Sequence, residues 1–315
     1  MISACGQQFT LALDTQNGRL TAVIAQVGAG LRSLKLGDTE FVESCEPDEI
    51  APYCAGIVMS PWVNRLDGGK WTYKGQVLEV PITIHDQQNA NHGLLEFAEY
   101  RLIDRVDTAL ESSVTLAATI QPRRGYPFLV ETTVKYALSA AGLTVTHGAE
   151  NKSEDAAPYA VGGHPYLRVS GTPTEELTLK APAASVIDVN ERQIPIGRSS
   201  VEGTRFDLRH GQRVGDNFFD HNFGDLERES DGMAHTYLTA PNGGQVDVWQ
   251  DAAFKYVVIF TPDFYPTRNG KVWAAAIEPQ TSAANSFNSG EDLIWLEQGQ
   301  QWSASWGIKV RQPQA

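Results

Sequence analysis

Titratable or hydrogen-bonding side chains stand beside proline or glycine at three widely separated places in the chain. The segments are Pro61-Trp62-Val63-Asn64-Arg65 with Asn91-His92-Gly93 after it, Gly163-His164-Pro165-Tyr166, and Ile277-Glu278-Pro279-Gln280. Proline and glycine define the backbone at loops and strand ends, where functional groups are often fixed. Two histidines, an arginine and a glutamate can supply an acid, a base and polar clamps.

The composition is that of a large, acidic globular protein. The chain has 315 residues, of which 42% are hydrophobic, enough for a substantial core. Lysine and arginine number 25 and aspartate and glutamate 38, so the formal net charge is 25 − 38 = −13. This charge argues against nucleic acid, an anionic membrane surface or a polyanionic substrate as the partner.

The cysteines and the N-terminal residues predict a cytoplasmic protein. Cys5, Cys45 and Cys54 form no CxxC motif and no paired spacing, which is typical of reduced thiols. The first eight residues lack the basic and apolar regions of a signal peptide, and no run approaches 18 apolar residues.

Short alternating segments dominate the chain and predict an all-β fold. Residues 143–146 and 302–306 show clear period-2 alternation of apolar and polar side chains. Predicted strands cover residues 9–13, 19–24, 31–36, 114–120, 129–138, 143–147, 176–179, 236–238, 245–249, 255–260, 272–277, 293–296 and 302–310. Helical periodicity is nearly absent, with one short helix predicted near residues 46–53. More than a dozen strands with 28 glycines and 16 prolines indicate a sandwich or barrel, organised as one large domain over residues 1–315.

The motif segments, taken in this order and joined by Asp220-His221-Asn222-Phe223, resemble those of the aldose 1-epimerases, also called galactose mutarotases. The resemblance implies a large antiparallel β-sandwich, the supersandwich of that family, with its site in a cleft on one face. It also implies that a free monosaccharide is the partner and that no metal or cofactor is required. We expect a monomer or a homodimer.

Interconversion of the α and β anomers of a sugar needs two proton movements. A base removes the proton of the C1 hydroxyl while an acid protonates the ring oxygen, and the C1–O5 bond opens. The aldehyde then rotates about C1–C2 and the ring closes on its other face with the roles reversed. A histidine with a pKa of about 6.5 and a glutamate with a pKa of about 4.3 suit these opposite roles.

The resemblance assigns the two proton-transfer roles to Glu278 and His164. Glu278 follows an apolar stretch, residues 273–277, and the segment after it, residues 279–290, is similar to the one that follows the family's catalytic base. His164, in the His-Pro-Tyr segment, matches the general acid that protonates the ring oxygen. A capped strand-end glutamate and a turn histidine are the structural alternatives for these two residues.

Three further residues match the substrate-binding positions of the family. Asn64 and Arg65 correspond to its Asn-Arg pair, and an arginine offers a rigid fork of donors to hydroxyls or a carboxylate. His92 corresponds to a histidine that hydrogen-bonds the sugar. A surface ion pair for Arg65 and a capped turn for His92 are the alternatives.

The sugar-binding aspartate is predicted to be Asp220, with Phe223 completing the D-x-x-F pattern. Asp216 and Asp225 are the neighbouring alternatives. Gln250 is a further predicted polar contact, and either Trp62 or Trp249 is a candidate for stacking on the sugar. The preferred sugar depends on poorly patterned stretches such as residues 186–203.

Two other functions share this fold. A hexose-6-phosphate mutarotase is expected to carry arginines after its His-Gly pair, whereas His92-Gly93 is followed here by Leu94-Leu95-Glu96-Phe97. A non-catalytic sugar-binding protein has no need of an acid paired with a base. A metal site built from His92, His164 and a carboxylate is disfavoured because neither histidine has close H-x-H or H-x-x-E spacing.

Overall fold

A nine-stranded antiparallel sheet forms one half of the protein. The computed structural model describes residues 3–43, 45 and 48–313. The strands of this sheet lie in the order Arg101–Asp107, Ser112–Ile120, Val130–Ser139, Gly142–Asn151, Gln301–Arg311, Gln245–Gln250, Ala234–Thr239, Thr178–Lys180 and Gln212–Arg213.

An eight-stranded antiparallel sheet carries most of the motif residues. Its main path runs Pro195–Ser200, Ala183–Val189, Asp220–Leu226, Tyr256–Phe260, Ala275–Gln280, Gly162–Gly163 and Val58–Met59. Tyr166–Leu167 also pairs with Ala275–Gln280, which therefore lies next to two short strands that flank His164. We call Ala275–Gln280 the Glu278 strand.

Smaller sheets complete the fold. The N-terminal residues form a four-stranded sheet of Gln8–Thr15, Gly18–Ala25, Leu31–Leu36 and Thr39–Glu40. Four strand pairs follow: Arg65–Asp67 with Asn89–Asn91, Lys70–Tyr73 with Gln76–Glu79, Ala157–Tyr159 with Ile294–Leu296, and Tyr265–Thr267 with Gly270–Val272. The all-β, antiparallel fold class predicted from the sequence is confirmed.

Alternating side chains explain how the sheets pack into a sandwich. Along Gly142–Asn151 every second residue is buried, as the period-2 pattern predicts for a strand with one face on a core. The main buried apolar cluster includes residues from Phe9 to Ile308 and draws on both large sheets. This shared core supports the proposal that residues 1–315 form a single domain.

Helices are few and short, and the predicted helix near residues 46–53 is not observed in the described part of that segment. Residues 46 and 47 lie outside the described residues. Residues 48 and 49 form a turn and a bend, and a 3₁₀ turn spans Pro52–Cys54. Ala51 caps that turn without a side-chain hydrogen bond, and Tyr53 has a φ of 47°, so no regular helix can continue there. Other 3₁₀ turns span Thr174–Glu176, Leu208–His210 and Val214–Asp216, and an α-helix spans Ser286–Ser289. Within the described residues no helix is long and apolar enough to cross a membrane.

Two glycines allow close chain approaches beside the motif histidines. A Cβ atom on Gly163 would lie 2.4 Å from the Trp306 ring, so glycine lets this side chain of the nine-stranded sheet pack directly under the His164 segment. A Cβ atom on Gly93 would lie 2.0 Å from the Ser60 carbonyl oxygen, and Gly93 has a φ of 87°. The same carbonyl accepts a 2.7 Å hydrogen bond from the Leu94 amide. Gly93 therefore fixes the segment after His92 against Ser60.

We predict that Gly93→Ala lowers the free energy of unfolding by more than about 3 kcal/mol, because it combines a backbone clash with an unfavourable φ. Gly171→Ala is the matched control, since Gly171 has the same φ of 87° but no atom within 4 Å of its Cβ position. This control should lose only about 1 kcal/mol. Urea unfolding of both variants measures the difference, and equal losses would contradict the proposed clash.

Candidate functional site

A cavity of about 450 Å³ brings together six of the seven residues predicted to form a site. The six are Asn64, Arg65, His92, His164, Asp220 and Glu278. The remaining lining residues are Tyr53, Cys54, Ile84, Asp86, Gln87, Asn91, Phe260 and Phe264. Side chains separated by more than 200 residues in sequence thus face one space.

Strand register in the eight-stranded sheet places Asp220 and Glu278 on one face. Asp220 pairs with Phe260, which in turn pairs with Ala276, two residues before Glu278. Directly paired residues project to the same face, as do residues two apart along a strand. Asp220, Phe260 and Glu278 therefore all point toward the cavity. The sequence predicted a strand that ends at residue 277, just before Glu278, but Glu278 lies inside its strand. Asp220 is the first residue of its own strand.

His164 lies in the short gap between two strands that both pair with the Glu278 strand. Its backbone N–H donates to the Ile57 carbonyl at 3.1 Å, and its carbonyl accepts from the Gly56 amide at 2.8 Å. The Tyr166 ring stacks on its imidazole, with centroids 5.3 Å apart. These contacts hold His164 Nε2 at 3.4 Å from Glu278 Oε1.

A short strand pair brings the Asn64-Arg65 and Asn91-His92 segments side by side. Arg65 pairs with Asn91, and the His92 amide donates to the Asn64 carbonyl at 3.0 Å. Asn64 and His92 both adopt a left-handed backbone conformation, with φ of 52° and 57°. The chain thus turns sharply at both residues, and the His92 ring packs edge-on against His164 at 5.1 Å.

Arg65 links the two halves of the cavity wall. Its Nη2 donates to Asp220 Oδ2 at 2.8 Å, and its Nε donates to Gln87 Oε1 at 2.8 Å. Its Nη1 donates to Asn64 Oδ1 at 3.1 Å. The Arg65 and Asp220 side chains are only 12% and 19% exposed, so solvent screens this ion pair less than a surface pair. The fork geometry of arginine holds Asp220 and Gln87 in fixed positions.

Burial governs the ionisation of Glu278. The residue is 2% exposed, and removal from water raises its pKa well above the usual range. The nearby Asp220 carboxylate raises its pKa further, whereas a hydrogen bond from Gln280 and the charge of Arg65 lower it. A carboxylate with a raised pKa is a stronger base once it is ionised.

The two cavity histidines are shifted in the opposite direction. Burial lowers the pKa of His164 to about 4, although Asp220 partly opposes this shift. Burial also lowers the pKa of His92 to well below its usual range, with smaller contributions from His164 and Arg65. The Nδ1 atoms of both histidines are buried without a hydrogen-bond partner.

Three aromatic side chains, which we call the aromatic wall, line part of the cavity, and no motif in the sequence identified them. Phe260 and Phe264 lie 6.4 Å apart between ring centroids, and Tyr53 contacts both, at 6.4 and 5.7 Å. Gln87 was likewise missed, because it stands in a polar run without a distinguishing pattern. A cavity lined by both aromatic and hydrogen-bonding side chains suits a ligand that has both apolar C–H and hydroxyl surfaces.

Gln250 lies outside the cavity, contrary to the expectation that it contacts the substrate. It belongs to the nine-stranded sheet, is 1% exposed, and its amide donates to the Phe254 and Tyr256 carbonyls at 2.8 and 3.0 Å. Gln250 satisfies buried backbone groups of the turn before Tyr256–Phe260, a role that its sequence context did not distinguish from ligand binding.

The two tryptophans and the two alternative aspartates that the sequence left open all lie outside the cavity. Trp62 is 3% exposed and packs against Phe287 in the core. Trp249 lies over Gly307 in the nine-stranded sheet. Asp216 is the exposed last residue of a 3₁₀ turn and does not line the cavity, whereas Asp220 does. Asp225 hydrogen-bonds Ser185 and Arg198 outside the cavity.

In residues 3–43, 45 and 48–313 no group of three His, Cys, Asp or Glu side chains is arranged to hold a metal ion.

The geometry can perform paired proton transfer on a bound ligand. Glu278 and His164 face each other across 3.4 Å, and their pKa values are shifted in opposite directions. Arg65 and Asp220 offer a donor and an acceptor beside them. Proton donation and removal at adjacent atoms of one ligand need such an arrangement.

Comparison with known proteins identifies the family. The family model described as aldose 1-epimerase matches residues 12–309. The uncharacterized protein YihR of Escherichia coli strain K12 is 32% identical over 296 residues, which cover 93% of this chain and 90% of YihR. The crystal structure of galactose 1-epimerase from Lactobacillus acidophilus superposes with a TM-score of 0.81 at 19% identity, covering 98% of this chain and 99% of that one. The GalM/aldose epimerase homologue of Caenorhabditis elegans gives a TM-score of 0.83 at 17% identity, covering 98% and 100%. The chain belongs to the aldose 1-epimerase family.

Proposed function

We propose that this protein is an aldose 1-epimerase that interconverts the α and β anomers of an unphosphorylated aldose. The observation that carries this proposal is the buried contact of 3.4 Å between His164 Nε2 and Glu278 Oε1 in the cavity. Burying both an acid and a base costs folding free energy, and binding alone does not require it. The arrangement therefore supports catalysis over simple sugar binding.

Ring opening uses both residues at once. Glu278 removes the proton from the C1 hydroxyl, the C1–O5 bond breaks, and its electron pair moves to O5. His164 delivers a proton to O5, so the products are the open-chain aldehyde and a sugar hydroxyl. No net proton is gained or lost by the site, because one proton enters at Glu278 as another leaves His164.

Ring closure reverses these steps on the other face of the carbonyl. After rotation about C1–C2, the O5 hydroxyl returns its proton to His164 and attacks C1. The carbonyl oxygen takes a proton from Glu278 and becomes the C1 hydroxyl of the other anomer. Each residue thus acts once as an acid and once as a base, which restores the starting protonation states.

Some polar groups around the pair favour the charge state that ring opening needs, whereas Asp220 also raises the pKa of Glu278 and Arg65 also lowers the pKa of His164. That state has an ionised Glu278 and a protonated His164, whereas burial opposes both charges. Arg65 and the Gln280 hydrogen bond lower the pKa of Glu278, and Asp220 raises the pKa of His164. A sugar that enters the cavity adds further dipoles at the same place.

The remaining cavity residues are suited to hold the sugar. Asp220 can accept hydrogen bonds from sugar hydroxyls, since Arg65 occupies only its Oδ2 atom. His92 and Asn91 also line the cavity and carry hydrogen-bonding groups. The rings of Phe260 and Phe264 are available to the C–H surface of a pyranose.

Charge in the cavity favours an unphosphorylated substrate. Among the described residues that line it, Arg65 is the only lysine or arginine, and it is already paired with Asp220. Asp86, Asp220 and Glu278 add three carboxyl groups. A sugar phosphate would meet this acidic surface without a free cation to bind it.

The function is tested by following optical rotation after dissolving pure α-anomers of a panel of free aldoses and of hexose 6-phosphates. We expect the protein to accelerate equilibration of at least one free aldose well above the spontaneous rate. Acceleration confined to the 6-phosphates would contradict the substrate class. No acceleration with any sugar would contradict the proposed activity.

We predict that Glu278→Gln and His164→Asn each lower the catalysed rate by at least about 10²-fold, because each removes one proton-transfer group. Glutamine and asparagine approximate the original shapes, and neutral glutamine avoids the burial of a charge. The free energy of unfolding should therefore change little. Polarimetry with the best aldose measures the rate, and near wild-type turnover by either variant would remove that residue from the mechanism.

Asp220→Asn should mainly weaken substrate binding. A lost charge-assisted hydrogen bond contributes about 1.5–3 kcal/mol, so kcat/KM should fall by roughly 10–150-fold, mostly through a higher KM. Asp216→Asn is the matched control, since Asp216 lies four residues earlier, is exposed and does not line the cavity. Damage by Asp216→Asn with a silent Asp220→Asn would contradict the assignment of Asp220.

A further inference from the structure

We infer that Gln280 is a positioning residue for the Glu278 carboxylate, and that Asn222 fixes the direction in which the Gln280 amide points. The inference rests on the proposed function, since it gives Glu278 the role of base. Neither Gln280 nor Asn222 lines the cavity, so both act through Glu278. The structure places them directly behind it in the eight-stranded sheet.

A short relay of hydrogen bonds connects the three side chains. Gln280 Nε2 donates to Glu278 Oε2 at 3.0 Å, and Asn222 Nδ2 donates to Gln280 Oε1 at 3.2 Å. The other carboxylate oxygen, Oε1, faces His164. One oxygen of Glu278 is thus held by the protein while the other is presented to the cavity.

Strand register makes this relay a consequence of the fold. Asn222 pairs with Val258, and Val258 pairs with Glu278 on its other side. Gln280 is two residues beyond Glu278, so all three polar side chains project from the same face. They are 4%, 2% and 0% exposed, so water has no access to replace a lost contact.

The relay can satisfy an ionised Glu278 in only one orientation. A carboxylate accepts hydrogen bonds, so Gln280 must turn its NH₂ group toward Glu278 and its oxygen toward a donor. The Asn222 NH₂ group is that donor. If Asn222 could not donate, the Gln280 amide would be free to reverse and present its oxygen to Glu278.

Five other charged or titratable side chains surround Glu278. His164 faces Oε1, Asp220 and Arg65 act from the adjoining walls, and Cys54 and Tyr166 lie close enough for Glu278 to raise their pKa values. Of the groups that influence Glu278, Gln280 is the one that donates a hydrogen bond to it.

Tight packing holds Gln280 in place. A Cβ atom on Gly162 would lie 3.1 Å from Gln280 Cγ and 2.8 Å from the terminal methyl of Met59. Gly162 therefore leaves only enough room for these two side chains. This packing explains why residue 162 is a glycine. It also restricts the Gln280 side chain to a narrow range of positions.

The first test replaces Gln280 by methionine, which keeps the length of the side chain and removes the donor. Loss of the donor disfavours the ionised carboxylate, so the pKa of Glu278 should rise. Because the pKa of Glu278 lies above that of His164, Glu278 controls the basic limb of kcat/KM, and this limb should move to higher pH by about one unit for the best aldose. A ¹³C NMR titration of glutamate-labelled protein should report the same shift, with the Glu278 signal assigned from its absence in Glu278→Gln.

The second test replaces Asn222 by aspartate, which can only accept from Gln280 and so reverses its amide. The titration of Glu278 should again move to higher pH. Because the new carboxylate also acts through its charge, Asn222→Asp is repeated in the Gln280→Met background. The shift caused by Asn222→Asp should be smaller there, since no amide remains to reverse.

Gln245→Met is the control for loss of a partly buried glutamine. Gln245 donates to Thr239 in the nine-stranded sheet and does not line the cavity, so the Glu278 titration should not move. An unchanged Glu278 titration in folded Gln280→Met and Asn222→Asp would overturn the inference. If the wild-type protein accelerates no aldose, the proposed function fails, and the NMR titration still decides whether Gln280 controls Glu278.

Discussion

The interaction on which the site depends is the burial of the Glu278 carboxylate inside a strand of the eight-stranded sheet. A charge in this position costs several kcal/mol unless hydrogen bonds and opposite charges compensate for it. The compensation comes from three directions: Gln280 along the strand, His164 across the adjoining gap, and Arg65 from a separate strand pair. Each of these side chains is itself held by contacts of the sandwich. The chemistry of the cavity therefore depends on long-range packing more than on any local motif.

Antiparallel register is the means by which the fold converts distant residues into neighbours. Asp220 and Glu278 are separated by 58 positions, yet only the strand Tyr256–Phe260 lies between their strands. A shift of one residue in either pairing would turn one carboxyl group to the opposite face. Phe260 between them contributes to the aromatic wall, so the same register sets both the polar and the apolar surface of the cavity.

The sequence predicted the fold class and most of the polar residues of the cavity, but for different reasons. Period-2 alternation, as in residues 143–146, follows directly from a strand with one buried face and needs no knowledge of its neighbours. Glu278, His164 and Arg65 were found because motif segments carry them. Phe264 and Gln87 reach the cavity only through tertiary packing, and no local pattern marks them. Gln250 was predicted to contact the ligand but lies outside the cavity. A glutamine on a strand can bind buried backbone carbonyls as readily as it can bind a ligand, and local sequence does not separate the two roles.

The stretch around residues 186–203 was too weakly patterned to interpret, and the structure explains why. It contains most of a hairpin, Ala183–Val189 with Pro195–Ser200, whose second strand lies at the sheet edge and is mostly exposed. An exposed edge strand has little apolar alternation to detect. At the tip of this hairpin, Arg192 donates to the Gln87 and Gln88 carbonyls beside the cavity. The segment contributes to the site through backbone contacts that its composition did not reveal.

Backbone strain is concentrated at the same cavity. Tyr53, Cys54, Asn64 and His92 all line it and all have a positive φ, between 47° and 60°. For residues other than glycine this conformation costs of order 1 kcal/mol each. The strain persists because Ser60, Gly93 and the strand pair of Arg65 with Asn91 fix the chain on either side. Relaxing these turns would move His92 and Arg65 away from His164 and Asp220. The core of the sandwich thus stabilises a local conformation that the isolated segments would not adopt, and the acid–base chemistry that we propose for Glu278 depends on that conformation.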